Sequence, residues 1–220
     1  SVAWADAKVG FFYTKTEGDV SVPDHAVYFH LIGKPQKEDI LILRSPERRS
    51  TDIGEFYSVE TSVDGNYIII TVYDEGPEDH VRSLATEASA SNRGSKVYCL
   101  DLTSMTSIVD ISKAPLMYLV NDSTEHCWQY IANIDRKFWF RTNYQADNFR
   151  VVTLTLPDVS KAAGGSDVVD LMQSAWDSIK DCIPEDMCLL ESASVANHSI
   201  LVLRFKRQQH HEVTLYDLHS

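Results

Sequence analysis

The chain has 220 residues, of which 44% are hydrophobic, and its formal net charge at pH 7 is −12. The acidic excess argues against a nucleic-acid partner, because phosphate binding needs clustered Lys and Arg, and the basic segment Arg44–Arg49 is interrupted by Pro46 and Glu47. No stretch approaches the roughly 20 consecutive apolar residues that a transmembrane helix needs, so we expect no membrane partner.

An apolar, strand-like run recurs four times at intervals of about 60 residues, which is the signature of a repeat architecture. The four runs are Phe11–Lys15, Tyr67–Val72, Phe138–Thr142 and Ile200–Phe205. Each is preceded by an alternating stretch and followed by a second apolar run that ends on or near Leu-Asp-Leu. The preceding stretches are Val2–Ala5, Phe56–Thr61, Cys127–Ile131 and Cys188–Ser194, and the following runs are Val27–Ile32, Val97–Leu102, Val151–Leu156 and Val213–Leu218.

A fourth strand-like stretch completes the first three units, and it falls at Asp39–Arg44, Leu116–Val120 and Trp176–Cys182. Turn residues in Val63–Asn66 and Asn133–Arg136 join neighbouring runs as antiparallel hairpins. Four strands in meander order are typical of a propeller blade. The sequence therefore predicts an all-β fold, a partial β-propeller with about three four-stranded antiparallel blades plus three strands of a fourth.

The predicted blade-like units span about residues 1–45, 56–121, 127–183 and 187–218. The last unit lacks a fourth strand and the sequence opens without Met on Ser1, so we expect a fragment of a larger propeller domain. Three polar segments interrupt the units, and they are predicted as loops: Glu17–His25, Asp74–Lys96 and Pro157–Ser174.

The cysteines Cys99, Cys127, Cys182 and Cys188 have no CxxC spacing, which argues against a zinc site or a redox dithiol. Buried free thiols in a reducing compartment are the default for such cysteines, so we expect a cytoplasmic (cytosolic) protein. Two N-glycosylation sequons, at Asn121 and Asn197, count against a cytosolic location, but two sequons are near the number that chance gives.

Catalytic constellations are absent from the sequence. A nucleophile elbow needs Gly-x-Ser-x-Gly between a strand and a helix, whereas Gly164-Gly165-Ser166-Asp167 has no glycine two residues after the serine and no strand before it. The pair His210-His211 lies in a polar turn and predicts a hairpin tip rather than a metal site. No phosphate-cradling glycine loop is present, and we expect no metal and no cofactor.

Several motifs resemble, in the same order, those of the propeller of the prolyl oligopeptidase family of serine peptidases. His25–Gly33 with Glu38–Leu41 resembles the family's LYYHxLGT…EDxL, and Ser62–Tyr67 resembles its SxDGRY. The segments Val97–Leu102, Arg141–Val151, Leu201–Leu203 and Leu215–Leu218 resemble LWYCDL, KTNxxxxNYRV and the two ends of FLVLxYxxDVxxxLxxHDL. The resemblance covers essentially the whole chain.

This resemblance implies that control of substrate entry and catalysis belong to two different domains. Family members join a seven-bladed propeller to an α/β-hydrolase domain that carries the Ser, Asp and His of the catalytic triad, and this chain contains none of the three. The chain would then be a non-catalytic gating part, which restricts entry to short proline-containing peptides while the missing α/β-hydrolase domain cleaves after proline. The 220-residue chain alone would be inactive.

Two residues are candidates for lining the substrate cavity by this resemblance. Phe56 falls where the family has an apolar side chain, often Met, that borders the pocket for the substrate residue two before the proline. The alternative is that Phe56 is an ordinary core residue of an inner strand. Tyr73 begins Tyr73-Asp74-Glu75-Gly76, which stands where relatives have REGC, so the family's cavity-facing thiol is missing here.

A second functional hypothesis stays open at the level of sequence. The chain could belong to a propeller scaffold that binds protein partners and has no peptidase activity, because a fold by itself does not specify a function. The longer reading frame separates the two hypotheses, since only the first requires a Gly-x-Ser-x-Gly elbow downstream.

Overall fold

A computed structural model describes residues 1–5, 9–17, 24–44, 54–75, 95–103, 105, 107–122, 126–157, 169–170 and 176–218. The predicted basic loop after Arg44, the segment around Ser166 and the middle of each of the three predicted loops lie outside the described residues. In the described part of the chain, no helix is both long and apolar enough to cross a membrane.

The described strands form four sheets, each built from strands that follow one another in the sequence. Sheet 1 contains β1 (Val2–Trp4), β2 (Gly10–Glu17), β3 (Asp24–Leu31) and β4 (Ile40–Arg44). Sheet 2 contains β5 (Gly54–Thr61), β6 (Tyr67–Glu75), β7 (Ser95–Asp101) and β8 (Leu116–Asp122). Sheet 3 contains β9 (Trp128–Ile134), β10 (Lys137–Thr142), β11 (Arg150–Thr155) and β13 (Lys180–Ile183), whereas the two-residue β12 (Val169–Asp170) between β11 and β13 joins the outer edge of sheet 2. Sheet 4 contains β14 (Leu189–Ala196), β15 (Ile200–Arg207) and β16 (His210–Asp217).

These sheets confirm the predicted partial β-propeller, with antiparallel meanders of four, four, four and three strands. Two details differ from the prediction. The last strand of sheet 3 is Lys180–Ile183, because Trp176 instead packs its indole ring against Trp128 and Tyr144, with ring centroids 5.7 and 4.7 Å away. The short β12 was not predicted, and it pairs in parallel with the outer strand β8.

Each gap between consecutive sheets holds its own hydrophobic core. The strand β6 illustrates the reason: Ile68 and Ile70 point into the core between sheets 1 and 2, whereas Ile69 points into the core between sheets 2 and 3. In β10, Phe138 lies in the second core and Trp139 in the core between sheets 3 and 4. Because alternate side chains of a strand point to opposite faces, the central strands of sheets 2 and 3 carry apolar residues at consecutive positions, Tyr67–Ile70 on β6 and Phe138–Phe140 on β10.

Hydrogen bonds tie neighbouring sheets together at their ends. In the β5–β6 hairpin Gly65 has a φ of +75°, and the Asp64 carboxylate accepts hydrogen bonds from Ser62 Oγ (2.7 Å) and from the Asn66 backbone N–H (3.0 Å). The same carboxylate accepts a 2.7 Å hydrogen bond from Asn133 Nδ2 in the β9–β10 hairpin. The turn chemistry predicted from the sequence therefore also fixes sheet 2 against sheet 3.

A buried arginine joins sheet 3 to sheet 4. Arg141 on β10 is 1% exposed, its Nε donates a 2.8 Å hydrogen bond to the Leu190 carbonyl, and its guanidinium lies 3.6 Å from the centroid of the Phe149 ring. Burial lowers the pKa of Arg141 to about 10, so the group still carries its charge at neutral pH. The guanidinium therefore provides a charged anchor for the start of β14.

Gly10, at the start of β2, is expected to tolerate no side chain. A Cβ added there would lie 2.4 Å from a Phe29 ring carbon and 2.5 Å from the His30 carbonyl oxygen, and the latter cannot rotate away. We expect Gly10→Ala to lower the free energy of unfolding by about 2 kcal/mol or more, as overpacking does. The measurement is the apparent unfolding temperature followed by tryptophan fluorescence at one protein concentration.

Gly65→Ala serves as the control for Gly10→Ala. A Cβ at Gly65 meets nothing within 4 Å, so only its positive φ opposes the change, and the expected cost is about 1 kcal/mol. Equal losses for the two variants would contradict the steric argument at Gly10.

Candidate functional site

The first strand of each sheet lies at one sheet edge, and these edges come together. Strands β1, β5, β9 and β14 are each terminal in their sheets, β1 contacts β5, and β9 contacts β14. We call this side of the molecule the inner edge. The end of the sheets at which these first strands begin, marked by Phe56, Ser95 and His126, is called the upper rim. The opposite end, marked by the hairpins at Asp64 and Asn133, is called the lower rim.

Both candidate residues from the sequence lie at the upper rim and are neighbours. Phe56 on β5 and Tyr73 on β6 are directly paired in register, so their side chains share one face of sheet 2. Phe56 is 41% exposed and Tyr73 is partly buried. Phe56 therefore lies outside the three cores, contrary to the alternative that it is a core residue. Their contact with a substrate stays a prediction.

Other side chains extend this aromatic pair in both directions along the upper rim. On one side, the His25 ring at the start of β3 meets the Phe56 ring edge-on, with centroids 5.6 Å apart. On the other side, Tyr73 is paired in register with Ser95 on β7, whose backbone N–H donates a 3.0 Å hydrogen bond to the His126 carbonyl. The upper rim is thus a continuous strip from sheet 1 to sheet 3.

The side chains of β5 alternate between buried positions and positions that are partly or fully exposed. Tyr57 and Val59 are 2% and 3% exposed and belong to the core between sheets 1 and 2. Phe56, Ser58 and Glu60, at alternate positions, share the opposite face, and Phe56 and Glu60 are exposed while Ser58 is partly so. Sequence reasoning identified Phe56 but missed Ser58 and Glu60. The signal was present as an apolar/polar alternation from Tyr57 to Glu60.

Glu60 occupies an unusual electrostatic position. Its side chain reaches solvent, yet enough protein surrounds it that burial raises the pKa of its carboxyl group from the ordinary 4.5 to about 7. No described residue forms an ion pair or a side-chain hydrogen bond with it. Tyr73 on β6 and Tyr130 on β9 are close enough to feel its charge, and for both the main effect is burial, which raises the pKa of the phenol. A carboxyl group that is accessible but poorly solvated is typical of a cleft wall.

A thiol lies beside Tyr73, although the family's cavity-facing cysteine is missing. Cys127, just before β9, is 2% exposed, and burial raises its pKa to about 11, partly offset by Arg141. All four cysteines are free, and Cys182 is the exposed one. Because the thiolate is the reactive form, Cys127 is a poor nucleophile at neutral pH. Its side chain therefore fills space in this part of the rim without adding a reactive group.

An open polar groove of about 450 Å³ continues the upper rim on sheet 3. It is lined by His126, Asn143, Gln145, Ala146, Asp147 and Glu185. Two of these side chains also support the local backbone: Asn143 Oδ1 accepts a 2.7 Å hydrogen bond from the Cys127 N–H, and a Glu185 carboxylate oxygen accepts one of 2.6 Å from the Asn148 N–H. The groove has little apolar wall for a substrate side chain, in contrast to the Phe56–Tyr73 pair.

Comparison with known families identifies the class of protein. The sequence model of the family described as "Prolyl oligopeptidase, N-terminal beta-propeller domain" matches residues 1–220. The chain therefore belongs to this family, as the motifs indicated.

Similar proteins come from fungi. Prolyl oligopeptidase A of Galerina marginata is 26% identical over 231 residues, which cover 98% of this chain and 26% of the relative. Prolyl oligopeptidase dbiP of Dendrothele bispora is 26% identical over 226 residues, which cover 100% of this chain and 25% of the relative. The chain thus spans about a quarter of the length of these curated relatives.

Solved structures confirm the fold. Prolyl oligopeptidase B from Galerina marginata, bound to a 35mer hydrolysis and macrocyclization substrate, superimposes with a TM-score of 0.71 at 19% identity, covering 99% of this chain and 26% of that one. One of two prolyl endopeptidases analysed for inter-domain dynamics gives a TM-score of 0.70 at 19% identity, covering 99% of this chain and 25% of that one. At this level of identity, the likeness supports the propeller architecture and nothing finer.

The raised pKa of Glu60 predicts a pH-dependent difference in stability between the wild type and Glu60→Gln. Below pH 4.5 the carboxyl group is protonated in the folded and unfolded states, so it adds no pH dependence. Between pH 4.5 and about 7 only the folded state keeps the proton, so the stability of the wild type falls as the pH rises through this window. Glutamine has no such titration.

We therefore expect the unfolding temperature of the wild type to drop, relative to that of Glu60→Gln, between pH 5.5 and pH 8. Differential scanning fluorimetry of both proteins in the same buffers measures this difference. A gap between the two proteins that stays constant with pH would show that the Glu60 carboxyl group is normally solvated.

Proposed function

We propose that this chain is the middle part of the propeller of a prolyl-oligopeptidase-like serine peptidase, which cleaves short peptides after proline. The propeller gates access to an α/β-hydrolase domain and lines the wall of the substrate cavity. The proposal rests on the match of the family's propeller domain to residues 1–220, together with the exposed Phe56 of the inner edge and its cross-strand neighbour Tyr73, which is partly buried. The parent enzyme would act in the cytosol, without a cofactor.

Burial and chemistry along the inner edge support a substrate-facing role. An exposed phenylalanine costs solvation free energy, and its ring offers a flat apolar surface against which a peptide side chain can pack. Phe56 contacts the His25 ring of sheet 1 and is paired in register with Tyr73 of its own sheet, so aromatic rings flank it on both sides. The proposal assigns the chemistry to the hydrolase domain.

The full coding sequence tests the proposal most directly. We expect a reading frame of about three further blades followed by a Gly-x-Ser-x-Gly elbow, in line with the relatives' greater length. A complete transcript without that elbow would remove the peptidase hypothesis and leave the propeller scaffold.

The isolated 220-residue chain should be poorly soluble or oligomeric, and inactive. The edge strand β16 exposes Val213 and Leu215 to 59% and 63%, and at the other end of the sheet series Trp4 is 57% exposed. Open strand edges and exposed apolar side chains promote association. Light scattering and a Gly-Pro reporter peptide measure the two properties. Cleavage of the reporter above a mock preparation would contradict this prediction.

Phe56→Ala in the full-length protein should raise KM selectively. We expect an increase of about fivefold for peptides with a bulky residue two before the proline and little change for peptides with a small one, because only the bulky side chain loses apolar contact. Steady-state kinetics with paired peptides measures the difference. Tyr216→Ala is a matched control, because Tyr216 is 42% exposed but lies on β16, away from the inner edge. Equal effects of Phe56→Ala on both peptides would place Phe56 outside the substrate contact.

A further inference from the structure

Charged side chains are rare on the first strands that form the inner edge. Among the side chains that the structure describes on β1, β5, β9 and β14, the charged ones are Glu60 and Glu191. Glu191 lies beside two basic groups, Arg204 Nε at 2.9 Å and His211 Nε2 at 3.1 Å. Glu60 has no such partner among the described residues. Within the described part of the inner edge, one carboxyl group, that of Glu60, therefore has a charge that no described neighbour balances.

The position of Glu60 relative to Phe56 follows from strand geometry. Both side chains lie on the same face of β5, four residues apart, and a strand rises about 3.3 Å per residue, so about 13 Å separates them. Phe56 is at the upper-rim end of the strand, and Glu60 is near the lower rim. Ser58 lies between them, is small and is partly exposed, so no bulky side chain of β5 separates Phe56 from Glu60.

A peptide that lies along this face would advance at nearly the same rise per residue as β5. If its side chain two before the proline packs on Phe56, the proline and the bond to be cleaved must lie with the hydrolase domain, beyond the sheets. The peptide residues that precede the one packed on Phe56 then run along β5. The residue four positions before the one packed on Phe56 would lie next to Glu60.

With a pKa of about 7, the Glu60 carboxyl group is partly ionised at neutral pH, and its ionised form, which no described residue balances, attracts cations and repels anions. Water is partly displaced by protein around Glu60, so charge–charge interactions are stronger there than at an open surface. Tyr73 and Tyr130, the titratable groups near it on β6 and β9, are phenols that burial keeps neutral. Tyr130 also feels the Asp64 carboxylate of the lower rim, so both carboxyl groups make this end of the strip acidic, and Glu60 is the one on the face of β5 that carries Phe56.

We propose that Glu60 determines substrate specificity by pairing with a cationic group of the peptide, four residues before the residue that packs on Phe56. The cation is a Lys or Arg side chain at that position, or the α-ammonium group of a peptide that begins there. This inference rests on the proposed function, from which the placement of the peptide on Phe56 is taken. It deepens that function by naming a charge preference at one defined position.

The test uses the full-length protein and labelled, N-terminally acetylated peptides that differ only at this position, with Lys, Gln or Glu. Fluorescence anisotropy measures affinity and steady-state cleavage measures KM. We expect the wild type to bind the Lys peptide about fivefold more tightly than the Gln peptide, and the Glu peptide more weakly than both. In Glu60→Gln the three affinities should converge, and in Glu60→Lys the order should reverse, so the result does not depend on one variant.

Two controls separate the local effect from general electrostatics. Glu38→Gln removes the same charge from an exposed position next to Lys34, away from the inner edge, and should preserve the Lys preference. Moving the Lys two residues closer to the proline places it beside Ser58 and should reduce the preference. A separate peptide with a free N-terminus at the critical position distinguishes the α-ammonium group from a side-chain cation.

The outcomes distinguish this inference from the proposed function. Cleavage after proline combined with equal affinities for Lys and Gln peptides, or with a preference that persists in Glu60→Gln, overturns the role of Glu60 and leaves the peptidase intact. Absence of cleavage after proline overturns the proposed function. In that event a Lys preference in binding that Glu60→Gln abolishes still supports Glu60 as a cation-selecting residue.

Discussion

Burial of both faces of the central strands is the constraint on which the rest of this structure depends. Ile69 must fill one gap between sheets while Ile68 and Ile70 fill the other, and Phe138 and Trp139 do the same one sheet further on. Sheets 2 and 3 therefore each need a neighbour on either side, as in other repeat architectures.

Hydrophobic packing alone would allow neighbouring sheets to shift relative to one another. Hydrogen bonds between polar groups fix their relative positions. At the upper rim, Ser95 Oγ accepts a 2.8 Å hydrogen bond from the Trp128 N–H. At the lower rim, Asp64 binds Asn133, and between sheets 3 and 4 Arg141 holds the Leu190 carbonyl. Hydrogen bonds are directional, whereas burial is not, so these few contacts fix where the first strands of adjacent sheets meet.

The side chains of strand β5 have two roles: alternate ones belong to the hydrophobic core, and the others are proposed to face the substrate. Tyr57 and Val59 are committed to the core between sheets 1 and 2, which fixes the strand rigidly. The alternate positions are thereby free to present an aromatic ring, a small hydroxyl and a carboxyl group to the inner edge. In a propeller of the prolyl oligopeptidase family, that edge is the surface past which a peptide is proposed to run. A rigid strand holds its substrate-facing side chains more precisely than a loop does.

The sequence by itself determined the strands, their grouping into blades and the family, because these depend on local alternation of apolar residues, on turn chemistry at Gly65 and Asp135, and on short collinear motifs. It also pointed to Phe56 and Tyr73. Only the tertiary structure decided that these two are cross-strand neighbours, that Trp176 packs in an aromatic cluster before the last strand of sheet 3 begins, and that Arg141 anchors β14. The unbalanced charge of Glu60 was equally invisible, since solvation and partners depend on residues distant in the chain, which no local pattern encodes.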